Sequence, residues 1–348
     1  MDINSLLRTV VERGASDLII TAGTTPILRL GGTLQPADAA RFSAEEAKSI
    51  IYSMLNKEQI ASFESTKELD LSYELKGASR FRVNVHYQRG TIAAALRLIP
   101  TEIPNMEDLR LPKIVADLSS LERGLVLVTG PTGSGKTTTQ ACMVDMINKN
   151  QSKHIITIED PIEYVHSNNR CIIEQREVGI DTDSFNAALK RVLRQNPDVI
   201  LVGEMRDLET IQTALTAAET GHLVISTLHT NDAIQSIDRI IDVFPPHQQS
   251  QVRLQLSLSL QGIIAQQLVP RMDKKGLVAA IEILISTSAV KNLIRKAQSQ
   301  EIYSMMDIGA KFGMQSMDAA LKILYKNKVI TYDEALAHSI SPEHFEKA

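Results

Sequence analysis

The stretch "GLVLVTGPTGSGKTTTQACMVDMINKN", residues 124–150, decides the fold of most of this chain. It opens with a short apolar run, continues with "GPTGSGKT" (130–137), which satisfies G-x-x-x-x-G-K-[ST], and ends in helical patterning. Strand, phosphate loop and helix in that order are the context in which the motif carries meaning. Glycines let backbone N–H groups turn inward around phosphate oxygens, and the helix N-terminus adds its dipole. Thr132, Gly133, Ser134, Gly135, Lys136, Thr137 and Thr138 are thereby expected to cradle the phosphates of ATP. Lys136 supplies a point charge to the outer phosphates, and Thr137 a hydroxyl to Mg²⁺.

Outward from that loop the pattern recurs. "HIITIED" (154–160), "DVILVGEMRD" (198–207) and "HLVISTLHT" (222–230) are apolar runs, each followed by polar residues and a helical stretch. Runs apolar on both faces that alternate with helices imply an α/β fold with a parallel sheet covered on both sides. Ligands of such sheets sit beyond the carboxyl ends of the strands. Glu204 lies at one such end, in a Walker-B-like position suited to organising Mg²⁺. Glu159, Asp160 and Glu163 lie at another, where Pro161 prevents helical continuation. Carboxylates clustered near a triphosphate repel it unless a metal or proton intervenes, so their presence implies metal. For Glu159 and Asp160, capping the turn is an equal alternative. His229 follows its strand at the same edge, suitable for sensing the γ-phosphate, whereas His222 precedes the strand and suits an interdomain or interface contact. For both histidines a structural hydrogen-bonding role is the competing reading.

Residues 1–99 differ in character. Helical patterns ("INSLLRTVVERG", "SAEEAKSIIYSMLNKEQIASFE") alternate with short strands ("DLIITAG", "PILRLGG", "DLSYEL"), as in a small mixed α+β unit. Pro100, Pro104 and Pro112 fall within 13 residues and place a linker at 100–115, leaving 116–348 as the second domain. After residue 245 the reading is mostly helical: "HQQSQVRLQLSLSLQGIIAQQL" has the spacing of one long amphipathic helix, and "GLVAAIEILI" suits one more strand.

The composition, 43% hydrophobic and 22% charged over 348 residues, is that of an ordinary soluble globular protein. A net charge of −4 argues against a general polyanion-binding surface, hence no nucleic acid as partner. A nucleic-acid translocase is further disfavoured by 4% aromatic content, no tryptophan and no Lys/Arg-rich run. Cys142 and Cys171, with no CxxC pair, exclude a disulfide framework or a cysteine-rich zinc site and fit a reducing cytosol. The first residues lack a signal peptide's apolar core, and no run approaches the ~18 apolar residues of a membrane span. No direct membrane insertion is expected, so any membrane role works through a partner.

Taken in order, "GPTGSGKT", "TIEDPIEY", "NPDVILVGEMRDLET" and "TAAETGHLVISTLHTN" resemble the phosphate loop, acidic box, Walker B and histidine box of the secretion-ATPase superfamily. Within it the chain is similar to the retraction motors of type IV pili over nearly its whole length, including "ASDLIITAG", "PILRLGG", "QREVG" (175–179) and "AVKNLIRK" (289–296). The last resembles the family's AIRNLIRE signature, tied to retraction, with Val290, Lys291 and Lys296 in place of Ile, Arg and Glu. Ile19 stands where the family usually has a histidine. The resemblance implies a PAS-like N-terminal domain (1–99), a RecA-like ATPase domain (116–348) and a homohexamer that binds ATP and Mg²⁺ between subunits. By it Glu163 polarises the attacking water, Glu204 organises Mg²⁺ through water and His229 reads the nucleotide's state. Asn292, Leu293, Ile294 and Arg295, with His222, become coupling or interface residues. It implies a cytoplasmic protein held at the inner membrane by a pilus platform protein, with other pilus ATPases as further candidate partners. An accessory paralogue of the principal motor is the alternative.

One stretch remains. "RFRVNVHYQRGTIAAALRLIP" (80–100) reads as a hairpin with Arg80, Arg82, Arg89 and Arg97 and no acidic residue. A turn centred on Arg89–Gly90 makes one face wholly apolar and sets Arg82 opposite Arg97 on the other. That pair is either a solvated strand face or, as the resemblance implies, a phosphate contact reaching across the subunit boundary. Arginine is a poor residue for the positive φ such a turn demands.

Overall fold

The computed structural model describes residues 2–75, 79–100, 102–342 and 345. Thr101 of the expected linker lies outside them, as do residues 1, 76–78, 343–344 and 346–348 of the expected domains. The chain divides into two compact units, residues 1–102 with 163–165, and residues 103–162 with 166–348. Most of the stretch read as linker therefore belongs to the second unit, where Leu111 and Val115 are buried in its core.

The first unit begins with α1 (Ile3–Glu12), followed by β1 (Asp17–Ile20), β2 (Ile27–Leu30) and β3 (Thr33–Pro36). Then come α2 (Ala44–Tyr52), α3 (Lys57–Thr66), β4 (Glu68–Leu75), β5 (Ser79–Gln88) and β6 (Thr91–Ile99). The stretch read as one helix from Ser43 to Glu64 is two. Asn56 interrupts it, its side chain accepting from the Gln59 N–H while Gln59 reaches back to the Asn56 N–H, a capping box that starts a new helix. The strands form an antiparallel sheet in the order β3-β2-β1-β6-β5-β4. Phe81, Val83, Val85, Ala94 and Leu96 pack with Leu7, Leu18 and Phe63 in its core.

The second unit continues through α4 (Lys113–Ser119), β7 (Gly124–Thr129), α5 (Lys136–Asn150), β8 (His154–Glu159), β9 (Ile172–Glu177) and α6 (Phe185–Val192). Next are β10 (Val199–Val202), α7 (Leu208–Glu219), β11 (Leu223–Leu228), α8 (Ala233–Asp242), α9 (Pro246–Ser259), β12 (Leu260–Pro270) and β13 (Leu277–Ile285). Four helices close it, α10 (Ser288–Arg295), α11 (Ile302–Ile308), α12 (Met317–Lys326) and α13 (Tyr332–His338). The sheet order is β13-β12-β7-β11-β10-β8-β9, parallel except for the β12–β13 pair. Alternation within the apolar runs fills both faces. Leu125, Leu127, Ile156, Ile200 and Val224 point into one core with α6 to α10, and Val126, Val128, Ile155, Leu201 and Ile225 into another beneath α4 and α5.

The long helix expected from residue 247 onward is corrected here. It stops at Ser259, and "LQGIIAQQLVP" continues as β12 beside β7. Gly262 disfavours helix, and a Cβ on it would lie 2.9 Å from Leu118, so this glycine lets the strand approach α4. Ile263 and Ile264, adjacent in sequence, are both fully buried on opposite sheet faces, which only a strand allows. No helix among the described residues is long and apolar enough to cross a membrane.

Candidate active site

The phosphate loop links the carboxyl end of β7 to α5. Gly130, Gly133 and Gly135 all have positive φ. Gly130 is the most constrained, since a Cβ there would stand 2.2 Å from the Gln266 carbonyl oxygen and 2.5 Å from Ser134 Oγ. Lys136, 8% exposed, turns back over the loop and donates through Nζ to the carbonyls of Gly130 (2.9 Å) and Pro131 (3.0 Å). Thr132 and Gly133 are exposed at the rim, and Thr137 and Thr138 are half-buried in the first turn of α5. Ser134 Oγ is buried without a hydrogen-bond partner among the described residues. A cradle of positive-φ backbone, an inward ammonium and an orphaned hydroxyl fit a polyphosphate.

The loop has a support that sequence reasoning missed. Gln266, on β12 and 1% exposed, donates through Nε2 to the Ser134 carbonyl at 2.6 Å and accepts from Thr139 Oγ1 at 2.9 Å. It thus ties the loop to the first turn of the helix. Beside it a cavity of about 200 Å³ is lined by Gly135, Thr138, Leu109, Leu268, Val278 and Arg271, among others.

Glu204 and His229 are brought together. Thr227 Oγ1 donates to the Gly203 carbonyl at 2.6 Å and the Met205 N–H to the Thr227 carbonyl at 3.1 Å, joining the ends of β10 and β11. His229 Nε2 then lies 3.3 Å from Glu204 Oε2, while Arg206 Nε meets Glu204 Oε1 at 2.7 Å. Thr137 and Glu204 are oxygen donors of the kind Mg²⁺ takes. Among the described residues no group of three or more His, Cys, Asp or Glu could hold a metal ion, so such a site would lean on phosphate oxygens and water. His222 stands at the opposite end of β11, its Nδ1 3.0 Å from the Ala217 carbonyl of α7.

The two carboxylates of the acidic box left open between chemistry and capping separate. Glu159 is 8% exposed and its Oε1 accepts from Thr157 Oγ1 (2.6 Å) and Gln175 Nε2 (3.0 Å); Asp160 is exposed. Glu163 is exposed and falls with the first unit, whereas the phosphate loop falls with the second. In the signature of α10, Val290 and Ile294 are fully buried in the core, and Leu293 packs against it. Ile294, expected as a coupling or interface residue, is thus a core support of the helix and offers no exposed surface, while Asn292 and Arg295 are exposed.

The β5–β6 hairpin has the register expected of it, with Phe81 level with Leu98, Val83 with Leu96, Val85 with Ala94 and Arg82 with Arg97. Arg89 (φ 47°) and Gly90 (φ 77°) form the turn, so arginine does adopt the left-handed conformation there. The hairpin itself holds no acid, but Arg97 finds one on the neighbouring strand: Arg97 Nε donates to Asp17 Oδ1 at 2.9 Å. Asp17 stands level with Arg97 on the neighbouring strand β1 and is shared with Arg29 at 3.4 Å. Arg82 is exposed and has no hydrogen-bond or ion-pair partner among the described residues.

The chain that carries this sheet edge is similar to known proteins over most of its length. A model of the family described as "Type II/IV secretion system protein" matches residues 2–311. The chain belongs to that family. It is 46% identical over 345 residues to PilT, the type IV pilus retraction ATPase of Pseudomonas aeruginosa, covering 99% of this chain and all of that one. It is equally 46% identical over 341 residues to the type IV pilus ATPase PilU of the same organism, covering 98% of this chain and 89% of that one. A crystal structure of the retraction motor PilT with bound ADP superposes with a TM-score of 0.92 at 49% identity, covering 99% of this chain and 98% of the other. With its intact phosphate loop, this member of the family is an ATP-hydrolysing enzyme.

Proposed function

We propose that this ATPase powers type IV pilus retraction, extracting pilin subunits from the pilus base, as a homohexamer bound through a platform protein to the cytoplasmic face of the inner membrane. The observation that carries the reading is the sheet edge itself. Lys136 sits in its glycine cradle after β7, and the Glu204–His229 pair, 3.3 Å apart, follows β10 and β11. Full-length similarity to a retraction ATPase supports the biological setting.

In this reading the backbone N–H groups of residues 132–138 and the Lys136 ammonium bind and orient the phosphates. Glu163 accepts a proton from the attacking water as it approaches the γ-phosphorus. His229, whose neighbour Glu204 fixes its ring, reports whether the γ-phosphate is present. Thr137 and Glu204 would hold Mg²⁺, which when bound neutralises phosphate charge. Arg82 and Arg97 of a neighbouring subunit's hairpin approach the same phosphates. The first unit is a PAS-like domain, the second a RecA-like one, and hinge bending where the chain passes from one to the other, at residues 102–103, converts turnover into motion. Exposed Asn292 and Arg295 of α10 and the region of His222 pass that motion to a partner or neighbour.

Deleting the gene should leave cells whose pili extend and do not retract, and Lys136→Ala in its place should fail to restore retraction. Normal retraction in either strain overturns the proposal. The equal identity to PilU favours one second reading, an accessory motor. That reading predicts robust turnover by the purified protein and retraction only when a second retraction ATPase is present.

A further inference from the structure

The stretch "QREVG" (175–179) is built into the support of the acidic box. β9 runs parallel to β8, with Gln175 level with Thr157 and Glu177 level with Glu159. Two residues apart on a strand, Gln175 and Glu177 project to the same face. Both reach the loop that follows β8. Glu177 Oε2 accepts the Ile162 N–H at 3.3 Å, and Gln175 Oε1 accepts the His166 N–H at 2.8 Å. Glu163, Tyr164 and Val165 are all that lies between these two anchored positions.

The anchors are themselves held. Gln175 Nε2 donates to Glu159 Oε1 at 3.0 Å, which fixes the amide so that its oxygen faces His166. The Glu177 N–H donates to Asp181 Oδ2 at 2.8 Å. Glu159, Ile162 and Glu177 are each less than a tenth exposed, and hydrogen bonds shielded from water hold position firmly. Further along the same loop, Asn148 at the end of α5 accepts from the N–H groups of Asn169 (3.1 Å) and Cys171 (3.3 Å) and donates to the Ser167 carbonyl at 2.7 Å. The helix that begins with Lys136 thus also secures the far side of the acidic loop.

We propose that Gln175 and Glu177 are positioning residues for Glu163, acting through the backbone at Ile162 and His166 to aim its carboxylate. They touch no reacting atom. The inference rests on reading Glu163 as the group that takes the proton from water. A displacement of 1 Å at a catalytic group costs on the order of 10²-fold in rate, so loosening either anchor should cost kcat and spare binding.

The test compares purified Glu163→Gln, Gln175→Ala, Glu177→Ala and the Glu163→Gln/Gln175→Ala double variant, by steady-state phosphate release and binding of a fluorescent ATP analogue. Gln175→Ala and Glu177→Ala should each lose tenfold or more in kcat, with KM and analogue binding within about twofold of wild type. In the double variant the Gln175 change should cost nothing beyond Glu163→Gln alone. Wild-type kcat in both alanine variants beside an inactive Glu163→Gln overturns the positioning role. So does parallel loss of kcat and analogue binding, or a full additive loss in the double variant. Wild-type kcat in Glu163→Gln instead overturns the reading of that residue. Should the alanine variants not fold, Glu177→Gln and Glu177→Asp decide. Glutamine still reaches the Ile162 N–H and retains kcat, aspartate falls a methylene short and loses it, and equal turnover in the two overturns the proposal.

Discussion

Lys136 and Arg82 are both cations, proposed above as phosphate contacts, and their surroundings are opposites. The Lys136 ammonium is 8% exposed and donates to the carbonyls of Gly130 and Pro131. Arg82 lies exposed on a strand, level with a second arginine and without a partner among the described residues. Burial makes a charge expensive unless its donors are engaged, so Lys136 comes with a built environment and stays in place. An exposed guanidinium needs no such environment, because water solvates it. The lysine is preorganised within its own unit, and the arginine is left available for something outside its own strand.

The comparison is sharpest at Arg82 itself. Arg82→Ala should lower kcat by about 10³-fold if it completes the charge around the transferred phosphoryl group, with an unchanged melting temperature. Arg97→Ala should cost less activity and some stability, because Asp17 already engages it. Wild-type turnover in Arg82→Ala would make the open arginine merely solvated. At the closed end, Lys136→Ala should reduce phosphate release by about 10²–10³-fold with the far-UV circular dichroism unchanged. Retained turnover there would mean that backbone N–H groups alone suffice.

Smaller effects test how tightly the closed site is built. Gln266→Ala removes the partner of both the Ser134 carbonyl and the Thr139 hydroxyl, and should destabilise by about 1–3 kcal/mol in urea unfolding. A second buried charge extends the contrast. Glu282 on β13, 1% exposed, accepts from the N–H groups of Ala233 (2.8 Å) and Met317 (3.3 Å), the starts of α8 and α12. Burial pushes its carboxyl up to about 7, with Asp232 and Asp318 adding to the rise against those two donors, and the Tyr303 hydroxyl is raised in its turn. Between its ordinary 4.5 and about 7 the folded protein binds more protons than the unfolded one, so this group's contribution makes stability fall as pH rises through that window. Glu282→Gln removes that slope, and its melting temperature relative to wild type should therefore rise steadily from pH 4.5 to 7. A constant difference across the window would show that burial does not control this carboxyl.

How far these features could be read from residues alone depended on the distance over which each is made. β7, β8, β10 and β11 are apolar on both faces, so each announces itself locally, and the loop and acids at their ends follow. The hairpin register is also local, since only one pairing leaves Phe81, Val83 and Val85 on one face with Leu98, Leu96 and Ala94. β12 misleads because Val252, Leu256, Leu260 and Ile264 keep a four-residue spacing across the point where α9 becomes a strand. β9, "IIEQRE", is polar enough to hide among loops, so its two anchoring side chains were invisible beyond the motif. Asp17 is 80 residues from Arg97, and Gln266 is 132 from Ser134. Such pairings arise from strand order in the sheet, which no local spacing encodes.

That last separation has a consequence for the protein during its synthesis. The phosphate loop leaves the ribosome complete in sequence, yet the side chain that ties its Ser134 carbonyl to Thr139 lies 132 residues downstream of Ser134. At roughly 5–20 residues per second, the nascent chain carries a finished nucleotide motif for at least several seconds before β12 can be added to the sheet. The loop's tie to the first turn of α5 is thereby added only once β12 joins the seven-stranded sheet beside β7.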